Sequence, residues 1–200
     1  KGLPLIVTNH RERSAFNFSP YQGEKLRPVI TYNYDNEHIT PYSFDVELDD
    51  NRMKAEYALS HQSAIYRITY EADKPAYLIV NSRNGSIHAN ENFISGRQQL
   101  NDNTNVYVYI EAQEKPISAG ILENGTIETS KDNAEGANAC AAWRFADGTT
   151  TVNLRYGISF ISEEQAKKNL EREIAAYDVD VVAKIARNDW NDALGKIQVQ

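Results

Sequence analysis

The sequence predicts a mainly β protein: a two-layer antiparallel β-sandwich followed by a C-terminal helical segment. Three observations predict it. Apolar and polar residues alternate, or apolar residues run in short blocks, through most of the first 161 positions. Turn-forming residues punctuate these runs: Asp49-Asp50-Asn51, Asn84-Gly85, Asn124-Gly125 and Asp147-Gly148. At Ser162 the period changes from that of a strand to that of a helix. Strands first and helices last describe a sandwich with a helical appendage.

The elements follow in order. Leu3-Pro4-Leu5-Ile6-Val7 is a short apolar strand, and residues 8–13 are densely polar. Residues 14–25, with Pro20 and Gly23, read as loop, and residues 27–34 as the next strand. The segment 33–48 organises the reading. Its polar loop, Asp35-Asn36-Glu37-His38, closes at Pro41 and launches a strand with Tyr42, Phe44, Val46 and Leu48 on one face. Most later strands read as partners of this one.

Met53, Ala55, Tyr57 and Leu59 return as the second arm of a hairpin from about Tyr42 to Leu59, and Ala64, Tyr66, Ile68 and Tyr70 form another strand. Ala76-Tyr-Leu-Ile-Val80 is a continuous apolar run, expected of a strand covered on both faces. Residues 81–105 read as polar with turns. Strands resume at 105–112 and 117–122, then residues 131–138 read as loop. Ala139, Ala141, Trp143 and Phe145 share a face, and Asp147-Gly148 predicts a hairpin into Val152, Leu154, Tyr156, Ile158 and Phe160. This gives about ten strands.

Ser162-Glu-Glu-Gln165 is a capping box, with Gln165 reaching back to the cap. Ala166, Leu170, Ile174 and Tyr177 follow at helical spacing. Asp178-Val-Asp180 breaks this helix and caps a second, whose stripe is Val182, Ile185, Ala186, Trp190 and Leu194, ending at Gly195. The expected organisation is a sandwich over 1–161, a helical linker over 162–195, and the start of a truncated downstream segment over 196–200. The chain begins at Lys1 without Met and stops mid-pattern at Gln200, as expected of a piece of a longer protein.

A net charge of −7 with no Lys/Arg-rich stripe argues against nucleic acid as a partner. No apolar run approaches the ~20 residues of a membrane span. The single cysteine, Cys140, cannot form an internal disulfide and reads as a small buried residue. The twelve tyrosines suit strands and sugar-facing surfaces alike. No Gly-rich phosphate loop, Gly-x-Ser-x-Gly elbow or Cys/His pair is present. His61 and His88 lack partners at zinc-ligand spacing.

The candidate substrate-binding residues are Asn36, Glu37 and His38, with His10, Arg11 and Arg13. Glu37 and His38 can line a sugar pocket or anchor their loop to backbone. His10, Arg11, Glu12 and Arg13 can offer a planar fork to a sugar hydroxyl or carboxylate, or make surface ion pairs. Trp143 and Trp190 can stack on sugars, but their apolar faces favour core packing.

Asp35-Asn-Glu-His-Ile-Thr-Pro-Tyr-Ser-Phe-Asp-Val-Glu-Leu48 resembles a segment of family 92 glycoside hydrolases, the bacterial exo-acting α-mannosidases. Met53-Lys-Ala-Glu-Tyr-Ala-Leu-Ser-His-Gln-Ser-Ala-Ile-Tyr-Arg-Ile-Thr-Tyr70 stands where that family continues. The strongest likeness is Arg155-Tyr-Gly-Ile-Ser-Phe-Ile-Ser162, then Glu164-Gln-Ala-Lys-Lys-Asn-Leu-Glu171 and Trp190-Asn-Asp-Ala-Leu-Gly-Lys-Ile197. The sequence departs from the family where Tyr42-Ser43-Phe44 replaces Gly-Tyr-Tyr. It also lacks the Gly-Phe-Ser-His-Thr-His loop, near whose place His10-Arg-Glu-Arg-Ser14 falls.

The resemblance implies the N-terminal, galactose-mutarotase-like supersandwich of an exported bacterial enzyme. A downstream (α/α)6 barrel would follow, carrying most Ca²⁺ ligands and the two catalytic carboxylates, which an inverting glycosidase holds roughly 6.5–9.5 Å apart. This chain would carry no catalytic residue and no metal of its own. It would wall one side of a pocket for a terminal, α-1,2-linked mannose of a glycan. Its exposed docking face, left alone, can pair two copies. The rival readings are a stand-alone carbohydrate-binding or adhesin-type module and a purely structural domain.

Overall fold

The computed structural model describes residues 3–7, 14–49, 52–101 and 103–196. Its strands are β1 (Leu3–Val7), β2 (Ser14–Tyr21), β3 (Tyr34–Ile39), β4 (Ser43–Leu48), β5 (Met53–Leu59), β6 (Ser63–Thr69), β7 (Tyr77–Ser82) and β8 (Gly85–Ala89). There follow β9 (Ile94–Asn101), β10 (Thr104–Ala112), β11 (Ser118–Glu123), β12 (Thr126–Glu128), β13 (Asn133–Gly136), β14 (Ala139–Arg144) and β15 (Thr151–Ser159). Two helices close the chain, α1 (Glu163–Glu173) and α2 (Val179–Leu194).

The strands make two sheets, ordered β1-β2-β7-β14-β11-β12 and β13-β8-β9-β10-β15-β6-β5-β4-β3. Every pairing described is antiparallel. The core lies between them. Phe18, Leu78, Val80, Ala141 and Trp143 from the smaller sheet meet Tyr66, Ile68, Val108, Ile110, Leu154 and Tyr156 from the larger. Each large apolar side chain so buried contributes about 1.5–3 kcal/mol. The Tyr66 ring packs 4.4 Å from Phe18 and 4.6 Å from Tyr57, centroid to centroid.

Both outer faces are also covered. Residues 22–33 lay Leu26 and Ile30 over Ile79, Leu122, Cys140 and Ala142. The helices lay Ala166, Leu170, Ile174, Val179 and Val182 over Ala58, Ile65 and Tyr109. This double cover is why β7 reads as a continuous apolar run.

The hairpin of β4 and β5 forms as expected, with Val46 and Leu48 paired against Ala55 and Met53. The segment 33–48 is not the hub, however. β4 is one strand in from the edge and pairs only with β3 and β5. Its polar approach is not a loop but the edge strand β3, exposed at all six positions. An edge strand packs little, so it carries no apolar signal. It bulges where Asn36 takes φ +52°.

Residues 14–25 are not loop. β2 is buried in the smaller sheet, with Phe16 and Phe18 fully covered. A left-handed Phe16, φ +51°, breaks the alternation and hides the strand from periodicity. Residues 27–33 are irregular cover rather than a strand. Residues 81–105 hold two strands, β8 and β9, because the interior there uses polar groups: Ser95 and Gln98 are buried. Residues 131–138 contain the short β13.

Asp147-Gly148 makes a turn, with Gly148 at φ +82°, but no hairpin. β14 lies between β7 and β11, while β15 lies between β10 and β6 in the other sheet. A turn signal fixes a chain reversal, not a partner. Asn124 and Gly125, both with positive φ, do close a true hairpin between β11 and β12.

The Ser162 hydroxyl accepts the Gln165 amide at 3.1 Å, but the Gln165 side chain donates to Asn169 instead of reaching back. Asp178 caps α2 through the amides of Asp180 and Val181. α1 ends at Glu173, so Tyr177 lies beyond its stripe. Trp143 is buried as expected, but Trp190 is 42% exposed. α2 packs through its first half, by Val182 and Ala186. The same stripe runs on through Trp190 and Leu194 without cover, and Ile185 also faces out.

Candidate functional site

Antiparallel pairing brings several connections to one end of the sandwich. β1 and β2 meet there through Val7 and Ser14. Phe16 donates its amide to Gln98 near the end of β9. The ladders then carry that end through the start of β10, the end of β15, the start of β6, the end of β5 and the start of β4 to Ile39 of β3. Ser14 of β2 and Ile39 of β3, which follows Asn36, Glu37 and His38, therefore belong to one end. His10, Arg11 and Arg13 themselves lie outside the described residues.

Asn36, Glu37 and His38 sit on the edge strand, exposed. Asn36 donates to Glu47 at 2.5 Å, and His38 Nδ1 stands 3.6 Å from Asp45. Both partners belong to the polar face of β4. The next turn is braced by the Thr40 hydroxyl, which accepts the Ser43 amide at 2.9 Å. His61 stands exposed on the β5–β6 turn. Ile39, Phe160 and Ile161 are 67%, 60% and 75% exposed at this end. Periodicity placed Phe160 inside, but the β15 ladder ends at Ser159, opposite Tyr107, so alternation had nothing left to pack against.

Two carboxylates, Glu56 and Glu173, hold structure. Arg67 grips Glu56 in a two-pronged pair at 2.8 and 2.9 Å and keeps that carboxyl below the usual range. Burial works to raise Glu173, but the Gln62 amide and Arg172 outweigh it and hold it low. A general acid needs the opposite shift. Burial pushes the Cys140 thiol up to about 12, which leaves it protonated and inert. Among the described residues no group of three His, Cys, Asp or Glu side chains could hold a metal ion. His88 has an acidic neighbour, Asp132, at 3.6 Å, and packs on Phe93.

Two open clefts lie at the opposite end. One, about 420 Å³, is lined by Tyr21, Gln22, Asp49, Arg52, Glu71 and Lys74. The other, about 520 Å³, includes Asn90, Asn92, Ile117, Lys131 and Asp132. Neither contains a sequence-predicted site residue. No helix among the described residues is long and apolar enough to cross a membrane.

The features define a class: an antiparallel β-sandwich of two sheets backed by a helical pair. The fold recurs in glycosidases. An inverting mannosidase of family GH92 from Bacteroides thetaiotaomicron superposes with a TM-score of 0.81 at 24% identity, over 92% of this chain and 27% of that one. A second family GH92 α-mannosidase from the same bacterium gives 0.79 at 21% identity, over 94% of this chain and 30% of that one. A bacterial glucoamylase gives 0.65 at 13%, covering 92% of this chain and 32% of its own. The model of the glycosyl hydrolase family 92 N-terminal domain matches residues 7–159, and the chain belongs to that family. An uncharacterized secreted glycosidase of Arthroderma benhamiae is 40% identical over 57 residues, which is 28% of this chain and 7% of that protein. The chain thus spans about a third or less of each of these relatives.

Proposed function

We propose that this chain is the non-catalytic N-terminal domain of an exported, calcium-dependent exo-α-mannosidase. The parent enzyme removes terminal α-1,2-linked mannose from glycans with inversion. Its two catalytic carboxylates and most of its Ca²⁺ ligands belong to a following (α/α)6 barrel. In this reading no step of this chain's own chemistry runs through the ion. The observation that carries the reading is the family match over residues 7–159.

In this reading the chain supplies binding and shape. Asn36, Glu37 and His38, with His10, Arg11 and Arg13, wall one side of the mannose pocket. Carboxylate, imidazole and guanidinium groups suit a polyol because they give and take several hydrogen bonds at fixed angles. Phe160, Ile161 and Ile39 at the same end, and Trp190 and Leu194 on α2, are apolar surface for the barrel to cover.

The test uses the protein extended through whatever follows Gln200, with α-1,2-linked mannobiose and proton NMR of the first-formed sugar. The expected result is release of β-mannose, lost on chelation and restored by Ca²⁺. Release of α-mannose, or hydrolysis unaffected by the chelator, would overturn the corresponding part of the reading.

A further inference from the structure

The stretch Arg155-Tyr-Gly-Ile-Ser-Phe-Ile-Ser162 does more than end a strand. Its residues hold α1 along the helix's whole length. Gly157 lets the helix sit directly on the strand: a Cβ there would stand 2.2 Å from the Ala166 carbonyl and 2.9 Å from the Leu170 amide. The Ser159 hydroxyl accepts the Ile161 amide at 2.9 Å, and Ser162 caps the helix. Asn169, only 2% exposed, donates to the Ile158 carbonyl at 2.8 Å.

Arg155 takes the far end. Its Nη1 donates to the carbonyls of Ile174 and Ala175, at 2.5 and 2.9 Å. Ile174 caps α1 and Ala175 follows it, so the guanidinium grips the backbone where the chain leaves the helix. Its Nη2 donates to Glu111 at 2.8 Å, and the Tyr177 ring lies 4.6 Å from the guanidinium. The Nε–H finds no acceptor among the described residues.

The neighbouring strand repeats the device. Arg67 sits opposite Asn153 in the β15–β6 ladder, next to where Arg155 sits opposite Ile65. It ties Glu56 on β5 to Asp180 in the first turn of α2, at 3.0 Å. Two arginines on adjacent strands therefore grip the end of one helix and the start of the next. A flexible tether is rich in Gly and Ser. Residues 158–194 contain no glycine.

We infer that Arg155–Ser162 is a docking segment that fixes α1 and α2 as a rigid third layer of the domain, with Arg155 the positioning residue that sets the course of the chain between the helices. The layer stands on contacts within this chain, whether or not the parent is a mannosidase. On the proposed reading, it presents the following domain to the sandwich at one angle.

The experiment is hydrogen exchange of the full chain, read peptide by peptide. Arg155→Gln should speed exchange at least tenfold over residues 174–184 while β6, β10 and β15 keep their wild-type rates. Gly157→Ala should instead speed exchange over residues 163–173, because its Cβ displaces α1. Two separate footprints are what a general loss of stability cannot give. Should Arg155→Gln fail to fold, Tyr177→Leu removes the ring over the guanidinium and the hydroxyl that donates to Glu111 at 3.4 Å, leaves Arg155 in place, and should loosen the same 174–184. Wild-type exchange there in both Arg155→Gln and Tyr177→Leu, or a uniform rise across both sheets, would overturn the inference. Hydrolysis is not read, so its failure is distinct from failure of the mannosidase reading.

Discussion

Gln98 stands in for a missing ladder partner of Phe16: its side-chain oxygen accepts the Phe16 amide at 2.9 Å, in a site closed to water. It also takes the Arg83 amide at 3.3 Å. The left-handed turn of the backbone at Phe16 leaves that amide without a strand partner, and a buried unpaired amide is costly. Gln98→Leu should therefore destabilise the chain by about 1–3 kcal/mol. Urea unfolding checks this; a loss under about 0.5 kcal/mol would show that water or a shifted backbone replaces the glutamine.

Acid should loosen α2 before it melts the sandwich. Arg67 holds the folded Glu56 carboxyl below its ordinary value of 4.5. A depressed carboxylate adds stability that is fully present above the unfolded pKa and is lost as pH falls through the folded one. Protection of residues 178–186 against hydrogen exchange, taken relative to the intrinsic rate at each pH, should fall selectively below pH 4.5 compared with neutral pH. Glu56→Gln should abolish that pH dependence.

The uncovered stripe on α2 should make the isolated chain self-associate. Trp190 and Leu194, 42% and 63% exposed, continue the face that Val182 and Ala186 bury. Sedimentation should show dimers at micromolar concentration, and Trp190→Ser with Leu194→Ser should return the monomer without lowering Tm. A wild-type monomer at all concentrations would contradict this.

Glu37→Gln and His38→Asn should weaken mannoside binding by the extended protein, each raising KM about tenfold, the loss of one hydrogen bond to a charged group. Both side chains are exposed on an edge strand, so Tm should not move. Unchanged KM in both variants would contradict their part in the pocket and leave them as surface residues of the edge strand.

The sequence made the alternating and doubly buried strands legible: β4, β5, β7, β10 and β15 carry their burial in their period. It hid the strands whose interiors are polar or kinked. Phe16 breaks the period of β2, and Gln98 and Ser95 put polar groups inside β9. The helix starts were legible because Ser162 and Asp178 are local caps. The role of Arg155 was not, because its acceptors lie 19 and 20 residues away along the chain. Of the candidate site, the sequence offered residue types suited to a polyol, Asn36, Glu37 and His38 among them, but not their surroundings. It could not show that β3 is an edge strand, since pairing order is a long-range property.

The central claim is that this chain shapes a mannosidase without performing its chemistry. The most direct measurement compares hydrolysis of an α-mannoside by residues 1–200 alone and by the protein extended beyond them, each with and without a calcium chelator. The account predicts activity in the extended form only, abolished by the chelator. Hydrolysis by residues 1–200, or glycan binding by them with no activity in either form, would contradict it.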